Sequence, residues 1–343
     1  MPAVAQGKVL VTGANGYIAV WVVKTLLDQG YSVRGTVRRE SAIPHLKETF
    51  KEYADKLELI VVPDITKDGA FDEAVKGVDA IEHTASPFHM NAKEPDELII
   101  PAVRGTRSVL QSALQFGDRV RRVVITSSTA SVLTDDGLPH VFTEADWNDR
   151  AVQDIAAQGA AAPPHTIYRA SKTLAERAAW QFVEENKEKV QFDVVALNPP
   201  YVWGPFLHEV DKPENLNTSV LDWYNTIVKN TRTPEQLVSI TSSWVDVRDI
   251  ALAHALSLQK PEAGGERIII SGGYWTWQDW INAARKYEPS LPAGNTSYDP
   301  KSVVYKTRYD ASKSERILGI TYHSMDESAA DIVKQLKEKG WLQ

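Results

Sequence analysis

The chain has 343 residues, 43% hydrophobic and 24% charged, which is ordinary for a soluble globular protein and long enough for a large core in more than one domain. Lys+Arg number 38 against 45 Asp+Glu, a formal net charge of -7 with no basic run, which argues against nucleic acid or an anionic membrane surface as a partner. There is no cysteine, so disulfides, thiolate catalysis and cysteine metal sites are excluded, and a reducing, cytoplasmic setting is expected.

The opening MPAVAQGKVLVTG reaches a strand-like run by Lys8 and predicts no signal peptide. No apolar run approaches the length of a bilayer span, so no membrane association is expected. The eight histidines are scattered, His83 and His89 being the closest pair, and without an H-E-x-x-H spacing no metal site is expected.

KVLVTGANGYIAVWVVKTLLDQGYSVRGTVRR (8–39) reads as strand, turn, helix and strand. Val9, Leu10 and Val11 form the first strand. Gly13 and Gly16 make a turn at which backbone can approach a pyrophosphate, and the helix that follows offers its unpaired N–H groups there. Ala19 takes the third glycine position of G-x-x-G-x-x-G and still permits close packing. The second strand, Tyr31 to Val37, ends in Arg38 and Arg39. An aspartate or glutamate there would accept ribose hydroxyls; arginine suits a 2′-phosphate instead. The expected cofactor is therefore NADP(H), with Arg38 or Arg39 offered to the phosphate. Arg34, inside the strand, is expected to face solvent or a neighbouring helix.

The alternation continues. LELIVVPD (57–64) reads as a third strand, DAIEHTASP (79–87) as a fourth, PDELIIPAVRGTRSVLQSALQ (95–115) as a long helix, RRVVITSS (121–128) as a fifth strand and FDVVALNPPYVWGP (192–205) as a sixth. This rhythm predicts an α/β, doubly wound parallel sheet with ligands outside the carboxyl ends of the strands. Gly13, Asp64, Ser86, Ser128 and Asn198 fall at such ends. The alanine-rich 151–165 stretch, within 134–165, predicts a surface insertion or flap.

IYRASK (167–172) sets Tyr168 four residues before Lys172 on a segment of helical pattern, hence on one helix face. A phenol titrates near 10 and is a poor acid–base group at neutral pH. A neighbouring ammonium is expected to lower that pKa, and the tyrosine then gives a proton to a carbonyl oxygen while hydride arrives from elsewhere.

After Gly204 the rhythm breaks. Helices are expected over 219–230, 244–259 (capped by Asp246 or Asp249), 276–287 and 324–340, with a strand over 266–271. A smaller, discontinuous C-terminal substrate domain follows: 1–198 with about 231–259 would bind the dinucleotide, and 199–230 with 260–343 would cover the cleft. Trp223 is expected to line an apolar pocket with Phe88, Thr129 and Tyr201, while most of the ten tryptophans are core. The pocket shows no obvious basic residue, which favours a neutral aldehyde or ketone.

TGANGYIA, TASP, TSSTAS, YRASK, NPPYVWGP and VDVRDIALAH occur in this order over nearly the whole chain. In them the sequence resembles the extended short-chain dehydrogenases/reductases, dihydroflavonol 4-reductase-like, and among these the fungal NADPH-dependent carbonyl or aldehyde (methylglyoxal) reductases. The resemblance implies that Ser128 holds the substrate carbonyl, Tyr168 protonates it, and Lys172 binds the nicotinamide ribose. It implies a cofactor path along Gly13, Asn15, Gly16, Tyr17 and Ile18, past Arg38, with Asp64 and Ile65 at the adenine and Thr84 and Ala85 along the ribose and pyrophosphate. Pro199 and Val202 would meet the nicotinamide side and Ser219 the phosphates. Thr129 departs from the bulkier aromatic residue of the yeast methylglyoxal reductases. The expected partner is a small-molecule carbonyl substrate, and the expected state a monomer or homodimer. A nucleotide-sugar epimerase, a plant-type dihydroflavonol or cinnamoyl reductase, and a non-catalytic dinucleotide sensor are the alternatives on the same fold.

Overall fold

The computed structural model describes residues 3–86, 92–134 and 136–342. Its first half winds as β1 (Lys8–Thr12), α1 (Tyr17–Asp28), β2 (Ser32–Val37), α2 (Ile43–Thr49), β3 (Leu57–Val61), β4 (Ala80–His83), α3 (Asp96–Phe116) and β5 (Arg122–Thr126). Then come β6 (His140–Phe142), α4 (Asp149–Gln158), α5 (Pro164–Glu185), β7 (Asp193–Asn198) and β8 (Tyr201–Trp203). The C-terminal part carries α6 (Thr218–Ile227), α7 (Pro234–Ser239), β9 (Thr241–Asp246), α8 (Val247–Gln259), β10 (Arg267–Ile269) and β11 (Gly273–Thr276). It ends with α9 (Trp277–Arg285), β12 (Thr307–Tyr309), α10 (Ser312–Leu318) and α11 (Met325–Glu338).

Seven parallel strands form the main sheet in the order β10-β7-β5-β4-β1-β2-β3. Its central strands are continuous apolar runs because both faces are covered. The two-residue period of the strand divides them: Val9, Val11, Ala80 and Val124 pack with α1 and α8, whereas Leu10, Ile81, Val123 and Ile125 pack with α3 and α5. Strand order reverses between β1 and β4, which opens a crevice at their carboxyl ends. This is the expected doubly wound sheet.

Three expectations need correction. The run 192–205 is not one strand. Pro199 and Pro200 lack the N–H donors a ladder needs, so β7 stops at Asn198, and β8 joins a separate three-stranded sheet, β11-β9-β8. The strand expected in the smaller domain over 266–271 is β10, which pairs with β7 and forms an edge of the main sheet. The run 244–259 divides at Asp246, the end of β9, whose carboxylate accepts from Arg248 N at 2.8 Å and caps α8.

The 134–165 stretch is more than a surface flap. β6 pairs in parallel with β12. α4 is capped by Asn148 and packs on α5, with Ile155 and Ala162 joining Leu98 and Ile167 in a small core. Tryptophans fill the space between the three-stranded sheet and α6 and α9: Trp203, Trp223, Trp244, Trp275, Trp277 and Trp280 are all buried and meet mostly edge to face. Among the described residues, no helix is long and apolar enough to cross a membrane.

Candidate active site

β1 delivers the chain to the crevice, and Gly13 turns it. Its φ of +66° suits glycine, and a Cβ there would lie 3.2 Å from Ala85 Cα. Thr12 ties the two strand ends together. Its Oγ1 accepts from Thr84 N at 3.1 Å and Ala85 N at 3.0 Å, which leaves its own proton for His83 Nδ1 at 3.0 Å. His83 is therefore the tautomer with its proton on Nε2. Burial, with Lys172 nearby, holds its pKa down at about 3, so it is neutral. Sequence reading missed both residues, although TG and HTA bracket the crevice.

Gly16 precedes α1 with no side chain capping the helix, so the first N–H groups, at Tyr17 and Ile18, remain available to an anion. The Tyr17 ring turns inward, its hydroxyl donating to Gly204 O at 3.1 Å, so only its backbone faces the turn. Asn15 is exposed beside it.

At the end of β2, Arg38 and Arg39 are exposed, and their guanidinium groups make no hydrogen bond or ion pair among the described residues. Arg34 points away: its guanidinium bonds Glu58 at 2.9 Å and the carbonyls of Ala74 and Lys76. Asp64 accepts from Thr66 N and Oγ1 at 2.9 and 2.7 Å. These bonds, with Lys67 and Arg38 nearby, hold its pKa below the usual value. Ile65 packs its side chain toward Gly105 of α3.

On the other side of the crevice α5 begins at Pro164, with Pro163 in extended geometry before it. It turns Tyr168 and Lys172 toward the end of β5. Ser128 caps a short 3-10 turn (Thr129–Ser131), its Oγ accepting from Ala130 N at 3.1 Å, and it lies close enough to the Tyr168 phenol to lower its pKa. Lys172 Nζ donates to Thr126 O at 3.4 Å. A cavity of about 10 Å³ lies behind this lysine, lined by His83, Thr106, Thr126 and Glu176 among others.

The electrostatics differ from expectation. Burial pushes the Tyr168 phenol up to about 12, opposed by Ser128, and brings Lys172 down to about 8, opposed by Glu176. The lysine was expected to lower the tyrosine pKa; here desolvation dominates, and Lys172 is not among the groups that shift the phenol. Tyr168 is thus a neutral phenol that already carries a proton, while Lys172 is mostly ammonium at neutral pH.

The remaining expected residues divide. Pro199 O accepts from Thr129 N at 3.0 Å and from Ser128 Oγ at 3.4 Å, so it braces the serine loop. Val202 is buried, and its carbonyl accepts from Ser219 Oγ at 2.6 Å, which commits the serine proton inside the protein. Tyr201 is 47% exposed at the cleft and stacks on Trp203. Arg169, Arg232 and Asp222 lie within electrostatic reach of it, so the cleft is more charged than its sequence suggested, although Arg232 is paired with Asp222 at 2.7 Å. Thr129 is 4% exposed. Trp223, expected in the pocket, is 0% exposed and belongs to the tryptophan core. An indole on the inner face of α6 is drawn to that core, a pull its sequence position does not reveal. Phe88 lies outside the described residues. Among the described residues no cluster of metal-ligating side chains occurs.

Comparison with known proteins agrees with this geometry. The model of the NAD dependent epimerase/dehydratase family matches residues 9–271. The chain is 36% identical to the ketoreductase azaE of Aspergillus niger, over 97% of this chain and 98% of that protein. It is 36% identical to the cinnamoyl-CoA reductase CAD2 of Medicago truncatula, over 96% of each. The crystal structure of yeast methylglyoxal/isovaleraldehyde reductase Gre2 complexed with NADPH superposes with a TM-score of 0.86 at 34% identity, over 97% of this chain and 99% of that one. With its glycine turn, strand-end serine and Tyr168–Lys172 helix, this chain belongs to the NAD dependent epimerase/dehydratase family.

Proposed function

We propose that the chain is an NADPH-dependent carbonyl reductase that converts small aldehydes and ketones to alcohols. The observation that carries this reading is that the Ser128 loop at the end of β5 and the α5 face of Tyr168 and Lys172 converge on the crevice, the serine lying close enough to the phenol to lower its pKa. The cofactor fit rests on the chain's own features: the Gly13 cradle that a Cβ would fill, the uncapped start of α1, and two unpaired arginines where β2 ends. A bound NADPH supplies hydride to the carbonyl carbon.

The protein's part is binding and proton transfer. Ser128 Oγ holds the carbonyl oxygen beside the phenol, and Tyr168 gives that oxygen its proton as negative charge develops. The resulting phenolate is stabilised by the Ser128 hydroxyl and the Lys172 ammonium, which also binds ribose hydroxyls. Arg38 meets the 2′-phosphate, with Asp64 and Ile65 at the adenine and the backbone of Thr84 and Ala85 beside the pyrophosphate. Tyr201, and Thr129 if its loop opens, line the substrate side. The smaller domain is assigned to β8, β9, β11, α6, α7 and α9, with α8 and β10 left to the dinucleotide domain.

The test is NADPH oxidation against aldehydes, α-ketoesters, diketones, aryl ketones and hydroxycinnamoyl thioesters, with Tyr168→Phe as control. Turnover of neutral aldehydes or ketones that is lost in the variant supports the reading. Turnover confined to thioesters favours the cinnamoyl-type alternative, and NADPH binding without turnover a sensor.

A further inference from the structure

Four residues past Lys172, α5 presents a third polar side chain to the same side. Glu176 is buried, with 0% of its side chain exposed. Its Oε2 accepts from Ser127 Oγ at 2.5 Å, Ser131 Oγ at 2.5 Å and Asn198 Nδ2 at 2.8 Å. Its Oε1 accepts from the Arg267 Nε and from Trp180 Nε1 at 3.4 Å. Ser127, Asn198, Arg267 and Trp180 donate to this carboxyl group, and the single proton of Ser131 is shared between it and Ser128 O, which lies 2.7 Å from Ser131 Oγ.

The donors are not arbitrary. Ser127 and Ser131 flank Ser128 on the β5 loop, and Asn198 closes β7 and also donates to Ser128 O at 3.1 Å. Arg267 stands on the edge strand β10 and donates onward to Glu144 O and Asp146 O at 2.6 and 2.7 Å, with its guanidinium over the Trp147 ring. One carboxylate thus ties the helix of Tyr168 and Lys172 to the loop of Ser128 and to two strands of the sheet.

We propose that Glu176 is a positioning residue for carbonyl reduction, locking the Ser128 loop against Tyr168 across the β5–α5 interface. This rests on the reductase reading above. Reaction needs the serine hydroxyl and the phenol aimed at one oxygen, and a misplacement of about 1 Å can cost roughly 100-fold in rate. The Ser128 side chain is anchored only by Ala130 N and a 3.4 Å bond to Pro199 O, while its carbonyl accepts from Ser131 Oγ at 2.7 Å and Asn198 Nδ2 at 3.1 Å. Its two serine neighbours instead carry the short bonds, and both end on Glu176. The same carboxylate favours the ammonium form of Lys172, so it bears on the charge of the site as well as its shape.

The experiment compares wild type, Glu176→Gln, Ser131→Ala and Tyr168→Phe for kcat, NADPH Kd and the pH profile of kcat. Glutamine sets N–H donors against Ser127, Ser131 and Asn198 or against Arg267. We expect kcat to fall roughly 10- to 100-fold with NADPH Kd changed by less than about 3-fold. The alkaline limb should move to lower pH, because a lysine without its carboxylate neighbour loses its proton earlier. Should Glu176→Gln fail to fold, Ser131→Ala, which removes the hydroxyl that bridges Glu176 and Ser128 O, carries the test with an expected loss of about 3- to 10-fold in kcat. Unchanged kcat and an unmoved limb in a folded Glu176→Gln, or unchanged kcat in Ser131→Ala, overturn the inference provided that Tyr168→Phe is inactive. An active Tyr168→Phe instead overturns the reductase reading itself.

Discussion

Two ends of one crevice are built on opposite principles. At the α5 end, Tyr168 and Lys172 have lost most of their solvent, and both pKa values have moved toward the neutral form, to about 12 and about 8. At the β2 end, Arg38 and Arg39 are exposed, and among the described residues their guanidinium groups make no hydrogen bond or ion pair. Desolvation makes the phenol hold its proton more tightly, so its transfer leans on the groups that favour the phenolate, and in so dry a place a single hydrogen bond counts. A group that must capture a phosphate benefits from being unpaired, because any internal partner would have to be displaced. Arg34, four residues before Arg38, shows the contrast: its bonds to Glu58 and two carbonyls commit it to structure.

Substitutions at each end sharpen this contrast. Tyr168→Phe is expected to lower kcat by roughly 10²- to 10⁴-fold with NADPH Kd unchanged; half the parental rate in a folded variant would remove Tyr168 from the chemistry. Trp223→Ala tests the tryptophan core behind the cleft. Emptying so large a buried site should cost about 3–5 kcal/mol in denaturant unfolding, whereas a pocket-lining role predicts a raised KM on a stable protein. Arg38→Ala should weaken NADPH by roughly 10- to 150-fold, the loss of one charge-assisted bond, and leave NADH affinity as it was. Equal losses for both cofactors would show that Arg38 does not read the phosphate.

A smaller effect is expected from pH. The Lys172 ammonium is present below about pH 8 and lost above it, so kcat should decline as pH rises through that value. A profile flat beyond about pH 9 would mean that lysine charge is not needed. Least of all, Arg34→Ala should leave NADPH Kd within about 2-fold, as its contacts are on the far side of β2; a loss matching that of Arg38→Ala would erase the distinction between the two arginines.

Local pattern alone determined much of this protein. The two-residue and 3.6-residue hydrophobic periods, the glycines at 13 and 16 and the i, i+4 spacing of Tyr168 and Lys172 act over a few neighbours, so the parallel sheet, the turn and the shared helix face were legible from residues alone. Tertiary structure decided what depends on partners distant in sequence. Pro199 and Pro200 divide β7 from β8, but only pairing shows that β8 joins another sheet and that β10 returns to the first. Trp223 resembles a pocket residue until it is seen buried in the core with its ring edge-on to Trp280. The Tyr168 pKa turns on desolvation, which one neighbouring lysine in the sequence cannot report. Glu176 is one more helical glutamate until Ser127, Ser131, Asn198 and Arg267, brought from three strand ends, converge on it. Its meaning lies in contacts across up to 91 positions, which no local spacing encodes.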